Sequence, residues 1–198
     1  PPASDHKATR EFLTRCCTSI LAMEADLNAL DAKSGDGDTG STLAGAARAL
    51  VDVIDKLPLS DHPQLLRAIG LELSQTMGGS SGVLLAIFFA AAGDATAAGI
   101  PVRPALQAGL DRMQEIGGAK PGDRTMIDAL QPALASLDKG IPAAAAAARK
   151  GANHTATLSS AKAGRAAYVN ADTLIGHIDP GAEAVARLFE ALIGNLSP

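Results

Sequence analysis

Leu13-Thr14-Arg15-Cys16-Cys17-Thr18-Ser19-Ile20-Leu21-Ala22-Met23-Glu24-Ala25-Asp26-Leu27-Asn28-Ala29-Leu30 sets Leu13, Cys16, Ile20, Met23, Leu27 and Leu30 at alternating spacings of three and four residues. That period traces one face of an α-helix, so the run predicts a helix buried along one side. The signature returns in Leu43, Ala47, Leu50, Ile54 and Leu57, in Val102, Leu106, Leu110, Met113 and Gly117, and in Ala182, Val185, Phe189, Leu192 and Leu196. Further helices are expected at 62–77, 81–99, 123–136 and 140–157, parted by joints that carry glycine or proline. No sustained alternation of β-branched and polar residues supports a sheet, and abundant alanine favours helices that approach closely. The expected fold is all-α, a bundle of about eight helices.

At 198 residues with 47% apolar content the chain can bury a full core, so one domain is expected over 10–198. Pro1-Pro2-Ala3-Ser4-Asp5 resists helix and lacks an initiator methionine, so 1–9 reads as a linker from a preceding domain. A net charge of -4 and only 3% aromatic residues leave neither a basic stripe nor stacking platforms, which argues against nucleic acid. The longest apolar run, Val83 to Gly93, stops at Asp94, short of the roughly 20 residues a bilayer requires, and reads as a core helix rather than a membrane span. No cationic segment leading into an apolar one opens the chain, and the adjacent Cys16 and Cys17 make an implausible disulfide. A cytoplasmic setting is expected.

The first helix runs into Leu30-Asp31-Ala32-Lys33-Ser34-Gly35-Asp36-Gly37-Asp38-Thr39-Gly40-Ser41-Thr42. Its glycines permit tight backbone, so that Asp31, Asp36 and Asp38 can converge, and converging carboxylates repel one another unless a cation lies between them. Magnesium takes oxygen ligands, uses one or two carboxylates per ion and keeps places for water and phosphate, so the pattern suggests one or two Mg²⁺ ions carrying a polyphosphate. A dinucleotide fingerprint fails because a helix, not a strand, precedes it. A P-loop fails because Ser41 stands where lysine is needed, and an EF-hand fails at Gly40 and Ala47. The plain alternative is a solvated turn whose Thr39 or Ser41 caps the next helix.

Three other stretches bear on an anionic ligand. Gly78-Gly79-Ser80-Ser81-Gly82 opens the most apolar helix and offers either a phosphate-binding helix start or an ordinary cap. In Pro121-Gly122-Asp123-Arg124-Thr125-Met126, Asp123 reads as a helix cap, while Lys120 or Arg124 could reach a phosphate or be solvated. Asp179-Pro180-Gly181 reads as a turn and helix start. Segment 158–178, with Lys162, Arg165, Tyr168, Asn170 and His177, has weak periodicity and reads as a mobile or ligand-dependent loop. None of the four histidines pairs with a second histidine or a Ser–Asp partner, so covalent catalysis has no visible actor.

Taken in order, Leu27-Asn28-Ala29-Leu30-Asp31, Gly35-Asp36-Gly37-Asp38-Thr39-Gly40, Gly78-Gly79-Ser80-Ser81-Gly82, Pro121-Gly122-Asp123-Arg124-Thr125-Met126, Gly164-Arg165-Ala166-Ala167-Tyr168 and Asp179-Pro180-Gly181 resemble the nucleotide-binding L domain of dihydroxyacetone kinases. The resemblance runs from about residue 10 to 196. It implies a closed barrel of eight antiparallel helices holding ATP or ADP through two Mg²⁺ ions. By the same resemblance Asp31, Asp36 and Asp38 are the magnesium ligands. Thr39, Gly40, Ser41 and Thr42 contact phosphates, as do Ser80 and Ser81, and Gly117 and Met126 line the adenine pocket. Arg165 lies over the nucleotide and steadies developing charge, and Asp179, Pro180 and Gly181 complete the contacts.

The family's ketone site lies in a separate K domain or subunit that binds dihydroxyacetone through a histidine. The chain is thus expected to donate the γ-phosphate of MgATP to dihydroxyacetone or a similar short ketose or aldose, complete only with that partner. A homodimer through the K domain is one arrangement. In the family's other branch the L subunit carries tightly held ADP that a phosphotransferase-system protein rephosphorylates. Its motif tends to read Gly-Asp-Ala-Asp-His-Gly, so Gly35-Asp36-Gly37-Asp38-Thr39-Gly40 and the linker-like start favour the ATP-dependent branch. Some two-domain members also convert FAD to cyclic FMN at the same site.

Overall fold

The computed structural model describes residues 3–162 and 165–193, with side chains at 3–6 and at Arg165 outside that description. Its helices are α1 (Ala3–Ala22), α2 (Glu24–Asp31), α3 (Thr39–Val53), α4 (His62–Thr76), α5 (Gly79–Ala97), α6 (Val102–Gly117), α7 (Ile127–Ala135), α8 (Ile141–Thr155), α9 (Ala171–Leu174) and α10 (Pro180–Ile193). Among the described residues there is no strand. The fold is all-α.

The helix count exceeds the expected eight for two reasons. The helix predicted through Leu30 breaks at Met23, whose backbone (φ -99°, ψ 3°) leaves helical geometry and which stands as the N-cap of α2. Four residues of the segment read as a loop wind into α9 and bury Leu174. That segment is also tied at both ends, Lys162 N–H to the Asp123 carbonyl at 3.1 Å and Gly176 N–H to the Ala156 carbonyl at 2.8 Å. Helix α1 begins at Ala3, inside the stretch read as linker.

The chain divides into two compact units, Pro1–Leu21 with Thr42–Gly118, and Ala22–Ser41 with Ala119–Pro198. In the first, Ala46, Leu59, Leu65, Ile69, Leu73 and Met77 form the core, backed by Leu13, Leu43, Leu50 and Phe89. Asp61 starts α4 by accepting from Gln64 N–H at 3.0 Å. Helix α5 is apolar around its whole circumference. By length and composition alone it could cross a membrane, which the shorter run Val83 to Gly93 did not suggest. Here it packs on α4 and α6 through glycines: a Cβ on Gly93 would lie 2.8 Å from the Pro63 carbonyl oxygen, and one on Gly109 2.5 Å from that of Phe88.

In the second unit α7, α8 and α10 pack together, and α2 lies against α10. The buried stripe Ala144, Ala145, Ala148 and Ala152 lets α8 come close. At the closest point a Cβ on Gly151 would sit 1.9 Å from the Asp128 carbonyl oxygen. That carbonyl belongs to the residue four before Pro132, which has no N–H to give it, so the approach falls where the α7 ladder is already open.

Candidate functional site

The aspartate loop is built from the end of α2. Asp31 closes the helix, and its carbonyl accepts from Ser34 N–H at 2.9 Å and Gly35 N–H at 2.6 Å, turning the chain sharply. A Cβ on Gly35 would lie 2.3 Å from Asp31 Oδ1, so only glycine leaves that carboxylate its place. Gly37 takes φ +80°, a left-handed conformation that glycine adopts without strain. The returning chain then donates Asp38 N–H (3.0 Å) and Thr39 N–H (3.1 Å) to Asp31 Oδ2. Asn28 takes the next turn: its Oδ1 accepts from Ser41 N–H and its Nδ2 donates to Ser41 Oγ, each at 2.9 Å.

These bonds bring one oxygen each of Asp31, Asp36 and Asp38 within 4.8 Å of one another. Asp31 is buried at 7% exposure, while Asp36 and Asp38 face solvent. All-oxygen donors with one rigid anchor and an open side fit a hard cation that keeps water or phosphate ligands. The capping role expected of Thr39 or Ser41 in the plain turn reading falls instead to Asp31 and Asn28, which accept from N–H groups at the start of α3. With the Thr39 and Ser41 amides so engaged, a phosphate contact by Ser41 would fall to its hydroxyl.

Thr42, Ser80, Ser81 and Gly117 belong to the first unit. Ser80 and Ser81 are exposed in the first turn of α5, after Gly78 and after Gly79 at φ +70°. Gly82 allows that turn to sit on Met77, whose carbonyl oxygen a Cβ would meet at 2.4 Å. Gly117 ends α6 exposed, and Thr42 is half-buried.

The remaining residues gather in the second unit. Asp123 is not the cap of α7, which starts only at Ile127. Instead its Oδ2 accepts from Lys120 N–H at 2.8 Å and its Oδ1 lies 3.1 Å from Lys162 Nζ. The Lys120 N–H, with the Lys162 charge, holds this carboxyl below the usual range. Asp128 shapes the loop, accepting from Gly122 N–H at 2.6 Å and Thr125 N–H at 2.8 Å. Arg124 is neither solvated nor free to reach a phosphate from the surface, for it is only 1% exposed. Its Nη2 donates to the His177 carbonyl at 2.7 Å and its Nη1 lies 3.9 Å from Asp179 Oδ1.

Asp179 starts α10 as the turn reading expected, its Oδ2 accepting from Ala182 N–H at 2.9 Å, while its own N–H donates to Thr155 Oγ1 at 2.8 Å. Met126 and Gly181 are brought together: a Cβ on Gly181 would lie 3.3 Å from Met126 Cβ. The Arg165 side chain lies outside the described residues. Asn28, Asp128 and Thr155 were not anticipated. For Asp128 a signal existed, because Thr125 and Asp128 have the Thr-x-x-acid spacing of a capping box. An open hollow of about 400 Å³ with Asp26, Leu30, Lys33, Ile178 and Arg187 in its wall includes none of the three aspartates.

Burial pushes the Asp179 carboxyl up to about 6, against the pull of the Ala182 N–H and the Arg124 charge. The folded chain therefore favours the protonated acid. The stability this contributes is fully present below 3.8 and is lost as pH rises through about 6. Relative to Asp179→Asn, which cannot titrate, the wild type should lose on the order of 3 kcal/mol between those limits. Urea unfolding of both chains across this range checks it, and a pH-independent difference would refute the burial cause.

A family model described as the DAK2 domain matches residues 33–194. A dihydroxyacetone kinase of Citrobacter freundii is 52% identical over 179 residues, covering 88% of this chain and 32% of that protein. A triokinase/FMN cyclase of Mus musculus is 39% identical over 199 residues, covering 91% of this chain and 33% of that protein. The crystal structure of the C. freundii kinase in complex with AMP-PNP and Mg²⁺ superposes with a TM-score of 0.82 at 44% identity, over 95% of this chain and 34% of that one. The chain thus spans about a third of the length of the relatives it matches.

Proposed function

The chain belongs to the DAK2 domain family, and from that premise we propose that it is the nucleotide-binding part of an ATP-dependent kinase. Its acceptor is dihydroxyacetone or a similar short ketose or aldose, held by a separate K domain in the same polypeptide or in another subunit. The single observation that carries the reading is the convergence of Asp31, Asp36 and Asp38 within 4.8 Å on a loop whose geometry depends on Gly35. The C. freundii complex with AMP-PNP and Mg²⁺ supports the choice of ligand, and the two thirds of each relative lying beyond this chain's reach support a second domain for the acceptor.

In this reading Asp31, Asp36 and Asp38 hold two Mg²⁺ ions. Magnesium, when bound, bridges and neutralises the phosphate oxygens. Asp31 serves as the preset ligand, because its Oδ2 is locked by two N–H groups before any ion arrives. Thr39, Gly40 and Ser41 of the second unit are assigned to phosphate, and so, in the first unit, are Thr42, Ser80 and Ser81. Met126, Asp179, Pro180 and Gly181 of the second unit are assigned to the nucleoside, as, in the first unit, is Gly117, and Arg165 is assigned to charge developing in transfer. The general base belongs to the partner domain, through which the intact protein would dimerise. The free Cys16 and Cys17 support a cytoplasmic setting.

The mouse relative's name favours a second reading, formation of cyclic FMN from FAD at the same aspartates. Calorimetric titration with AMP-PNP, with Mg²⁺ and in EDTA, tests the shared premise. Saturable binding that depends on Mg²⁺ is expected, and binding of equal strength in EDTA would remove the role of the aspartates.

A further inference from the structure

We infer that Arg124 is a positioning residue for the nucleoside side of the site, holding the 177–181 turn in register with Met126 from inside the second unit. The inference rests on the nucleotide-binding reading above. Arg124 stands at φ 60°, a left-handed conformation that suits glycine and strains a longer side chain. Nevertheless an arginine occupies it, with its side chain wholly buried.

The energetics argue against a purely stabilising role. Among the described residues Arg124 Nε and Nη1 have no hydrogen-bond partner, so two donors of a buried cation have given up water without full replacement. The nearest carboxylate oxygen, Asp179 Oδ1, stands 3.9 Å from Nη1, beyond hydrogen-bond reach. A buried ion pair of this quality adds little, and an apolar side chain would fill the space at lower cost.

What this guanidinium does that an apolar group cannot is grip the His177 carbonyl at 2.7 Å, across 53 residues of sequence. His177 is two residues before Asp179, and Arg124 is two before Met126. The bond therefore joins the two segments that present Met126 and Gly181. Those segments approach closely, since a Cβ on Gly181 would lie 3.3 Å from Met126 Cβ and 3.5 Å from Met126 N. Asp179 is fixed independently by Thr155 and Ala182. Arg124 sets the remaining freedom, the position of the turn relative to the 121–126 loop.

The test compares wild type, Arg124→Gly and Arg124→Lys in calorimetric titrations with Mg²⁺ and either AMP-PNP or inorganic tripolyphosphate, which has no base. Thermal unfolding of each chain is recorded alongside. Glycine suits the backbone at 124, so Arg124→Gly should fold. It should bind AMP-PNP about tenfold or more weakly, as misplacement of a contact surface does, yet bind tripolyphosphate as the wild type does. Lysine, which keeps a cationic donor on a flexible stem, should recover part of the loss. A purely structural arginine would lower the unfolding midpoint and leave both affinities of the folded chain alone. AMP-PNP affinity within about twofold of wild type in folded Arg124→Gly, or equal losses for both probes, overturns the inference and leaves the nucleotide reading standing. Failure of the wild type to bind AMP-PNP overturns both. Should Arg124→Gly be unfolded at the assay temperature, Arg124→Met, which fills the space without a donor, decides: a loss confined to AMP-PNP supports the inference and wild-type affinity refutes it.

Discussion

Asp31→Asn is expected to weaken Mg²⁺-dependent AMP-PNP binding by on the order of a hundredfold while leaving the chain folded. The two consequences separate because Asp31 performs two tasks with one side chain. As an acceptor it takes Asp38 N–H and Thr39 N–H on Oδ2 and closes the 31–39 loop. Asparagine keeps the size and one acceptor oxygen, so this task survives at a cost of about 1 kcal/mol, typical of a weakened cap. As an anion Asp31 is the one buried member of the trio, and an amide brings no charge to a divalent cation. Asp36→Asn should cost less, since Asp36 is exposed to solvent where Asp31 is buried. The titration repeated in EDTA should show mutant and wild type converging. Equal affinities in the presence of Mg²⁺ would sink the metal assignment, whatever the loop does.

Gly40→Ala should lower folding stability by about 3 kcal/mol or more, the largest effect expected of any single methyl in this chain's aspartate region. Its Cβ would lie 2.0 Å from the Glu24 carbonyl oxygen, 2.9 Å from that carbonyl carbon and 2.7 Å from Asn28 Oδ1. The first two are backbone atoms of α2 and cannot swing aside, so the 39–41 turn must shift away from Glu24. That shift breaks the Asn28 to Ser41 bonds and draws Thr39 off Asp31, so Mg²⁺-dependent nucleotide binding should fall with stability. Gly45 gives the control. It lies inside the same helix with nothing within 4 Å of its missing Cβ, so Gly45→Ala should stabilise by about 0.5–1 kcal/mol. Urea unfolding of both variants checks the pair, and a neutral Gly40→Ala would refute the close contact of Gly40 with the Glu24 carbonyl as a determinant of stability.

Helical content was legible because its signal is local: Leu13, Cys16, Ile20, Met23 and Leu27 repeat at the helical period whatever packs against them. The break at Met23 was not legible, since the apolar spacing runs through it unchanged and only the backbone departs. Nor was the late start of α7. Thr125 and Met126 are acceptable helix residues, and it is the Asp128 carboxylate, pinning Gly122 and Thr125 N–H groups, that keeps 121–126 out of the helix. The aspartate trio could be read from spacing because a loop of a few glycines forces neighbours together.

Arg124 could not be read so. Judged by its type and by the turn around it, it belonged at the surface; its burial follows from a carbonyl 53 residues away. Thr155 is the same case, a threonine near the end of α8 whose hydroxyl is taken by Asp179 N–H across 24 residues.

Period, composition and the clustering of acids and glycines are properties of neighbours in the chain, and they sufficed for an all-helical protein with an acidic loop suited to a hard cation. Which polar groups lose water, and which distant carbonyl each then finds, depends on how α7, α8 and α10 close on one another. A buried donor's energy is decided by atoms that no window of sequence contains.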